Sequence, residues 1–132
     1  MSAVYISRMS DARARAEDHY YAGLDLFADG HYQDAVGEYR AAVAEDPQFT
    51  DALHALSKAL QELKDFDGAI EVSQQIAAID SDDVLAHTSL SILYQNKGMI
   101  AEAEAESNKA RILGWKHQLR DQKSGVKPPE SL

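Results

Sequence analysis

Small residues return at a fixed interval along this chain. Gly23, Ser57 and Ser91 stand 34 residues apart, and so do Ala35, Ala69 and Ala103. Larger residues keep the same step. Leu26, Leu60 and Tyr94 form one column, and Ala42, Ile76 and Ala110 another. Gly30 and Tyr32 precede Ala35 as Phe66 precedes Ala69, and as Gly98 and Ile100 precede Ala103. Asp46-Pro47, Asp80-Ser81 and Gly114-Trp115 also align. Three registers at one period without a gap mean that one supersecondary unit is repeated.

Each unit reads as two helices. Leu53, Leu56, Leu60 and Leu63 are spaced by three and four residues, which places them along one side of a helix. Ala35, Val36, Tyr39, Ala42 and Val43 make a second such stripe, and Asp46-Pro47 ends it, because the residue before proline avoids helical backbone. The pattern predicts helices at 10–29, 33–45, 50–63, 67–79, 84–96 and 100–113. The small residue at 23, 57 and 91 admits the paired helix from one side, and the alanine at 35, 69 and 103 admits it from the other. One helix pair leaves an apolar face uncovered, so the units must stack to bury it.

These columns resemble the tetratricopeptide repeat. That family's unit carries a large residue, Leu-Gly, an aromatic, then Ala, an aromatic, Ala and Pro at fixed offsets. The first unit supplies Gly23, Ala35, Tyr39, Ala42 and Pro47, with His19, Ala22 and Leu26 at other marked positions. The second supplies Leu53, Leu56, Leu60 and Ala69, and the third Leu90, Tyr94, Ala103 and Ala110. The resemblance covers about residues 16–117. It implies an all-α fold, a right-handed α-solenoid of three antiparallel helix pairs with a C-terminal capping segment.

It also implies a peptide-binding groove lined by the first helix of each unit. The matching positions are Glu17, Tyr20, Leu24, Phe27 and Ala28 in the first unit. In the second they are Asp51, His54, Lys58, Gln61 and Glu62, and in the third Leu85, Thr88, Ile92, Gln95 and Asn96. Tyr20, Leu24, Phe27, Leu85 and Ile92 are expected to be exposed apolar groups there, and such patches mark binding surfaces. Glu17, Asp51 and Glu62 outnumber Lys58, so the expected ligand is an apolar and basic peptide segment of another protein. One branch of the family grips a chaperone's terminal carboxylate with Lys, Asn and Arg. The matching residues here are Tyr20, Leu24, Ala55, Leu85 and Ser89, with neither a cation nor an amide among them.

The chain divides into an N-terminal apolar segment (1–9), a three-repeat domain (10–117; repeats about 16–49, 50–83 and 84–117) and a basic helical extension with a disordered tail (118–132). Ser10 is the expected N-cap of the first helix. Val4, Tyr5, Ile6 and Met9 form an apolar cluster that either covers the first unit or meets another chain. The third unit is built as an end. Where the earlier units have Val36 and Val43, then Ile70 and Ala77, it has Glu104 and Arg111. Gly114 is placed to end the last helix, with Trp115 folding back over it and 116–123 adding a short helix.

The formal charge is −9, which opposes nucleic-acid binding. It is uneven: residues 111–132 carry five cations against two carboxylates, a surplus of three, so the remainder carries −12. With no cysteine, disulfides and thiolate metal sites are excluded, and a cytoplasmic location fits. No apolar run is long enough to span a membrane, and no secretion signal is read at the N-terminus. His19, His31, His54, His87 and His117 form no two-histidine metal motif, and Asp51 with His54 lacks a third ligand. No cofactor or catalytic constellation is expected, so the chain reads as a non-enzymatic protein-binding adaptor. The alternative is self-assembly through the repeat ends or the N-terminal cluster, which leaves a monomer or a weak homodimer.

Overall fold

A computed structural model describes the backbone of residues 3–123 and the side chains of 11–123. The described residues form six helices and no strand: α1 (Ala3–Ala28), α2 (Tyr32–Glu45), α3 (Thr50–Glu62), α4 (Phe66–Ile79), α5 (Val84–Asn96) and α6 (Ile100–Lys123). Each helix packs on the next in the chain, and α1 also touches α3. The fold is therefore an all-α stack of three helix pairs.

The three first helices end alike. The amide of His31 donates to Leu26, that of Asp65 to Leu60, and that of Met99 to Tyr94, at 2.8–2.9 Å. One residue earlier, Gly30, Lys64 and Gly98 donate to Phe27, Gln61 and Gln95 at 3.0 Å each. This double bond pattern is the Schellman motif, and it needs a left-handed residue at its centre. Gly30 and Gly98 take positive φ freely, whereas Lys64 sits there with φ 64° despite its Cβ. The glycine column thus has a lysine in the middle unit held to the same turn.

Second helices end differently. Asp46 and Asp80 leave the helix in extended backbone, and their carboxylates accept from the amides of Gln48 and Asp82. The matching residue in the third unit is Gly114, which has no carboxylate to secure the turn. The helix runs on through it to Lys123, so Gly114 does not end α6 and 116–123 is not a separate helix. Trp115 does not fold back; it is 61% exposed. At the other end α1 already begins at Ala3, so Ser10 lies inside the helix and not at its start. The side chains of Val4, Tyr5, Ile6 and Met9, and the tail from 124 onward, lie outside the described residues.

The core sits between the layers. Ala35, Leu53, Leu56, Ala59, Leu60, Ala69, Val72 and Ile76 are buried in it, with Ala86 and Leu93 from the third unit. The small-residue column closes the first pair with a glycine, and the other two with a serine that reaches the facing alanine carbonyl, Ala69 or Ala103. A Cβ on Gly23 would overlap the buried Tyr39 ring. In the second unit, Ser57 and Ser73 also share a hydrogen bond of 3.1 Å. In the third, the Ser91 hydroxyl donates to the Ala103 carbonyl at 2.9 Å. Glu104 and Arg111 are exposed, as an end position with no further helix permits.

Candidate functional site

The first helices of all three pairs share one face. A cavity of about 510 Å³ lies across it, lined by Tyr20 from α1, by Asp51, His54, Ala55, Lys58 and Gln61 from α3, and by Leu85 and Ser89 from α5. α3 and α5 contribute residues one turn apart, which point to the same side, and α1 contributes Tyr20. The middle unit supplies the polar floor, and Leu85 supplies apolar surface at one side.

Of the groove residues expected from sequence, Tyr20, Asp51, His54, Lys58, Gln61 and Leu85 meet around this cavity. Leu24 and Ile92 are exposed beyond its lining, as are Ala28, Glu62, Gln95 and Asn96. Glu17 is taken up by Arg13 at 3.0 Å, and the Thr88 hydroxyl donates to the Val84 carbonyl at 2.9 Å. Two expectations need correction. Tyr20 is half-buried, its ring packed on Tyr39 and Phe49 at centroid distances of 6.2 and 5.2 Å. Phe27 is also half-buried, against Tyr32 at 5.0 Å, with the Lys58 ammonium 5.7 Å from its ring centroid. Both rings belong to the wall of the fold rather than projecting from it, because Phe49 and Tyr32 fold back onto them.

Charge is fixed by short contacts. The His54 ring meets the Asp83 carboxylate at 2.9 Å, and the other Asp83 oxygen caps α5 by accepting from the Ala86 amide. His54 is thereby tied to the third unit, not paired with Asp51. Asp51 stays exposed in the groove. Burial, and then the Asp51 carboxylate, push the Tyr20 hydroxyl up from its ordinary pKa, so Tyr20 is a neutral hydroxyl at physiological pH. Among the described residues no group of three or more His, Cys, Asp or Glu could hold a metal ion.

Sequence reasoning missed three contributors. Ala55 and Ser89 line the cavity, although only the carboxylate-gripping comparison had singled them out. Asp83 had a signal, since an aspartate just before a helical stripe is an N-cap, but its second role depends on the position of α3. A further cavity of about 420 Å³ lies on the opposite side, between α2 and α4, lined by Arg40, Val43, Pro47, Val72 and Gln75 among others. No helix of the described residues is long and apolar enough to cross a membrane.

Comparison with known proteins names the class. The tetratricopeptide repeat family matches residues 26–91, half of the chain. The chain belongs to the tetratricopeptide repeat family. Among solved structures it is similar to MamA, with a TM-score of 0.75 and 26% identity over 77% of this chain and 60% of that one. It therefore spans about three-fifths of the MamA chain it matches. It is also similar to the second such domain of Spaghetti (RPAP3) bound to the HSP90 peptide SRMEEVD, with a TM-score of 0.74 and 17% identity over 80% of this chain and 96% of that one. A third is the Yersinia enterocolitica secretion chaperone SycD in complex with a peptide of the translocator YopD, at a TM-score of 0.71 and 24% identity, covering 74% of each chain. No curated protein matches the chain.

Proposed function

We propose that this chain is a non-enzymatic interaction module that holds a peptide segment of a partner protein on the face of its first helices. The observation that carries this reading is the cavity that Tyr20, Asp51, Lys58 and Leu85 line from three different helices. A continuous site across stacked units suits a chain laid along the solenoid. The peptide-bound structures of Spaghetti and SycD support it by fold.

The ligand follows from the lining. Leu24, Leu85 and Ile92 offer exposed apolar surface toward the outer units, and Asp51 and Glu62 are exposed in the middle one. Lys58 is the opposing cation, and it lies over Phe27. A segment with apolar side chains toward its ends and Lys or Arg near its centre fits this surface. An acidic tail does not. The positions that would grip a terminal carboxylate hold Tyr20, Leu24, Ala55, Leu85 and Ser89, which offer at most neutral hydroxyls.

Selection from a random peptide library tests this. Wild-type chain should select basic peptides with apolar anchors. Leu85→Ala should weaken them by about 1–2 kcal/mol, and Asp51→Lys should slow association, as raised salt should. Calorimetry with SRMEEVD should show no binding. Acidic selected peptides, or binding that survives both substitutions, would move the site off this face.

A further inference from the structure

The last helix is built unlike the others. α6 has 24 residues against 13 in its partner α5, a rise of about 36 Å against about 20 Å. Its second half therefore extends past the helix it packs on. On that half Ile112, Trp115 and Leu119 are 51%, 61% and 42% exposed. Their spacing of three and four sets them in one stripe, across the helix from the half-buried Ala110 and Leu113. Around the stripe, residues 109–123 carry five cations and a single carboxylate, Asp121. The molecule thus has a basic apolar ridge at one end of an otherwise acidic body.

We propose that this ridge docks into the acidic groove of a second copy of the chain, head to tail. The inference rests on the groove reading above and names one occupant for that groove. The ridge offers what the groove lacks: Trp115 and Leu119 as apolar anchors with Lys116 between them, facing exposed Leu24 and Leu85 and the free side of Asp51. It cannot serve its own groove, because α6 packs along α5 as the second helix of its pair, with Trp115 and Leu119 exposed on it. Pairing ridge to ridge would set five cations against five. An anionic membrane would meet only three apolar side chains and would repel the acidic body. Because ridge and groove are different surfaces, the contact is heterologous and does not stop at two copies unless the rotation closes a ring.

Sedimentation velocity of the full chain, from micromolar to millimolar concentration, tests the proposal. Weight-average mass should rise with concentration, past the dimer unless two copies close a ring, and fall back as salt is raised. Trp115→Glu and Asp51→Lys should each weaken association about tenfold or more. Mixing these two variants is the decisive step. The first keeps a working groove and the second a working ridge, so together they should form a one-to-one dimer that grows no further. Circular dichroism, unchanged in both, confirms that the variants are folded. A silent mixture, or self-association that survives both substitutions, overturns head-to-tail docking. A chain that stays monomeric throughout yet still captures basic peptides overturns this inference and leaves the groove reading standing. Failure of peptide capture as well overturns both.

Discussion

Where the two helices of a unit face each other, the middle pair carries Leu53 and Val72, both buried in the core. The same positions in the outer units hold His19 with Glu38 and His87 with Glu106, at 2.7 and 2.6 Å. The middle unit has neighbours on both sides and leaves these two residues only 1% and 6% exposed. An outer unit has one open side, and a polar pair there keeps contact with water. The two ends also differ. His19 and Glu38 are 41% and 35% exposed, whereas His87 and Glu106 are 9% and 13% exposed, and His87 is further held by the Ser81 carbonyl. A shared sequence register therefore sets where two side chains meet, and the neighbours set which chemistry they can use.

The sharpest way to break that comparison is to empty the middle unit. Leu60→Ala should cost about 2–5 kcal/mol in chemical denaturation, because Leu60 is buried within the core that joins the units. In the same assay Glu104→Ala, at the exposed end, should change stability by less than about 0.5 kcal/mol. Equal losses would mean that the outer helix is packed like the inner ones.

Gly23→Ala should come next, at about 1–3 kcal/mol, since the added methyl meets a Tyr39 ring that is 1% exposed and cannot swing away. Ser57→Ala, at the matching position, should cost less, because it removes buried hydrogen bonds to Ser73 and the Ala69 carbonyl without forcing a methyl into filled space. Thermal melts of both variants separate the two modes of closure.

His87→Leu should cost about 1–2 kcal/mol, leaving the half-buried Glu106 carboxylate with Lys109 alone. Adding Glu106→Val, which copies the Leu53 and Val72 of the middle unit, should recover most of that loss. A double variant no better than the single one would show that the polar pair is required by the end itself and not only tolerated there. The smallest effect concerns Lys64. Lys64→Gly should stabilise by about 0.5–1 kcal/mol, since the left-handed turn suits glycine, while Gly98→Ala should destabilise by about as much.

Much of the fold was legible in the sequence because packing positions repeat. A column such as Ala35, Ala69 and Ala103 needs no partner to be recognised, and all three alanines are buried. The helix ends were harder. The first-helix turn is the same at Gly30, Lys64 and Gly98, but only two of the three carry the residue that advertises it. Gly114 stands where a glycine cap would end the last helix, yet α6 runs through it. The real stop signal in this chain is the aspartate at 46 and 80, and the third unit lacks it. In the groove, polar residues such as Asp51 and Gln61 fell where the register put them, because a helix face follows from spacing alone. Tyr20 also reached the cavity, but the register did not show that its ring and that of Phe27 are half-buried.

The sequence alone determined the number of units, their helix pairs and the face that carries Asp51, His54 and Leu85. These depend on spacing along one chain, which a repeat states three times. Only the tertiary structure decided that the Tyr20 and Phe27 rings are half-buried against Phe49 and Tyr32, that His54 answers to Asp83, and that α6 continues into an uncovered basic ridge. Each of those depends on a side chain or a helix end brought from elsewhere in the fold, where burial and pairing are settled by what arrives beside a residue and not by its place in the register.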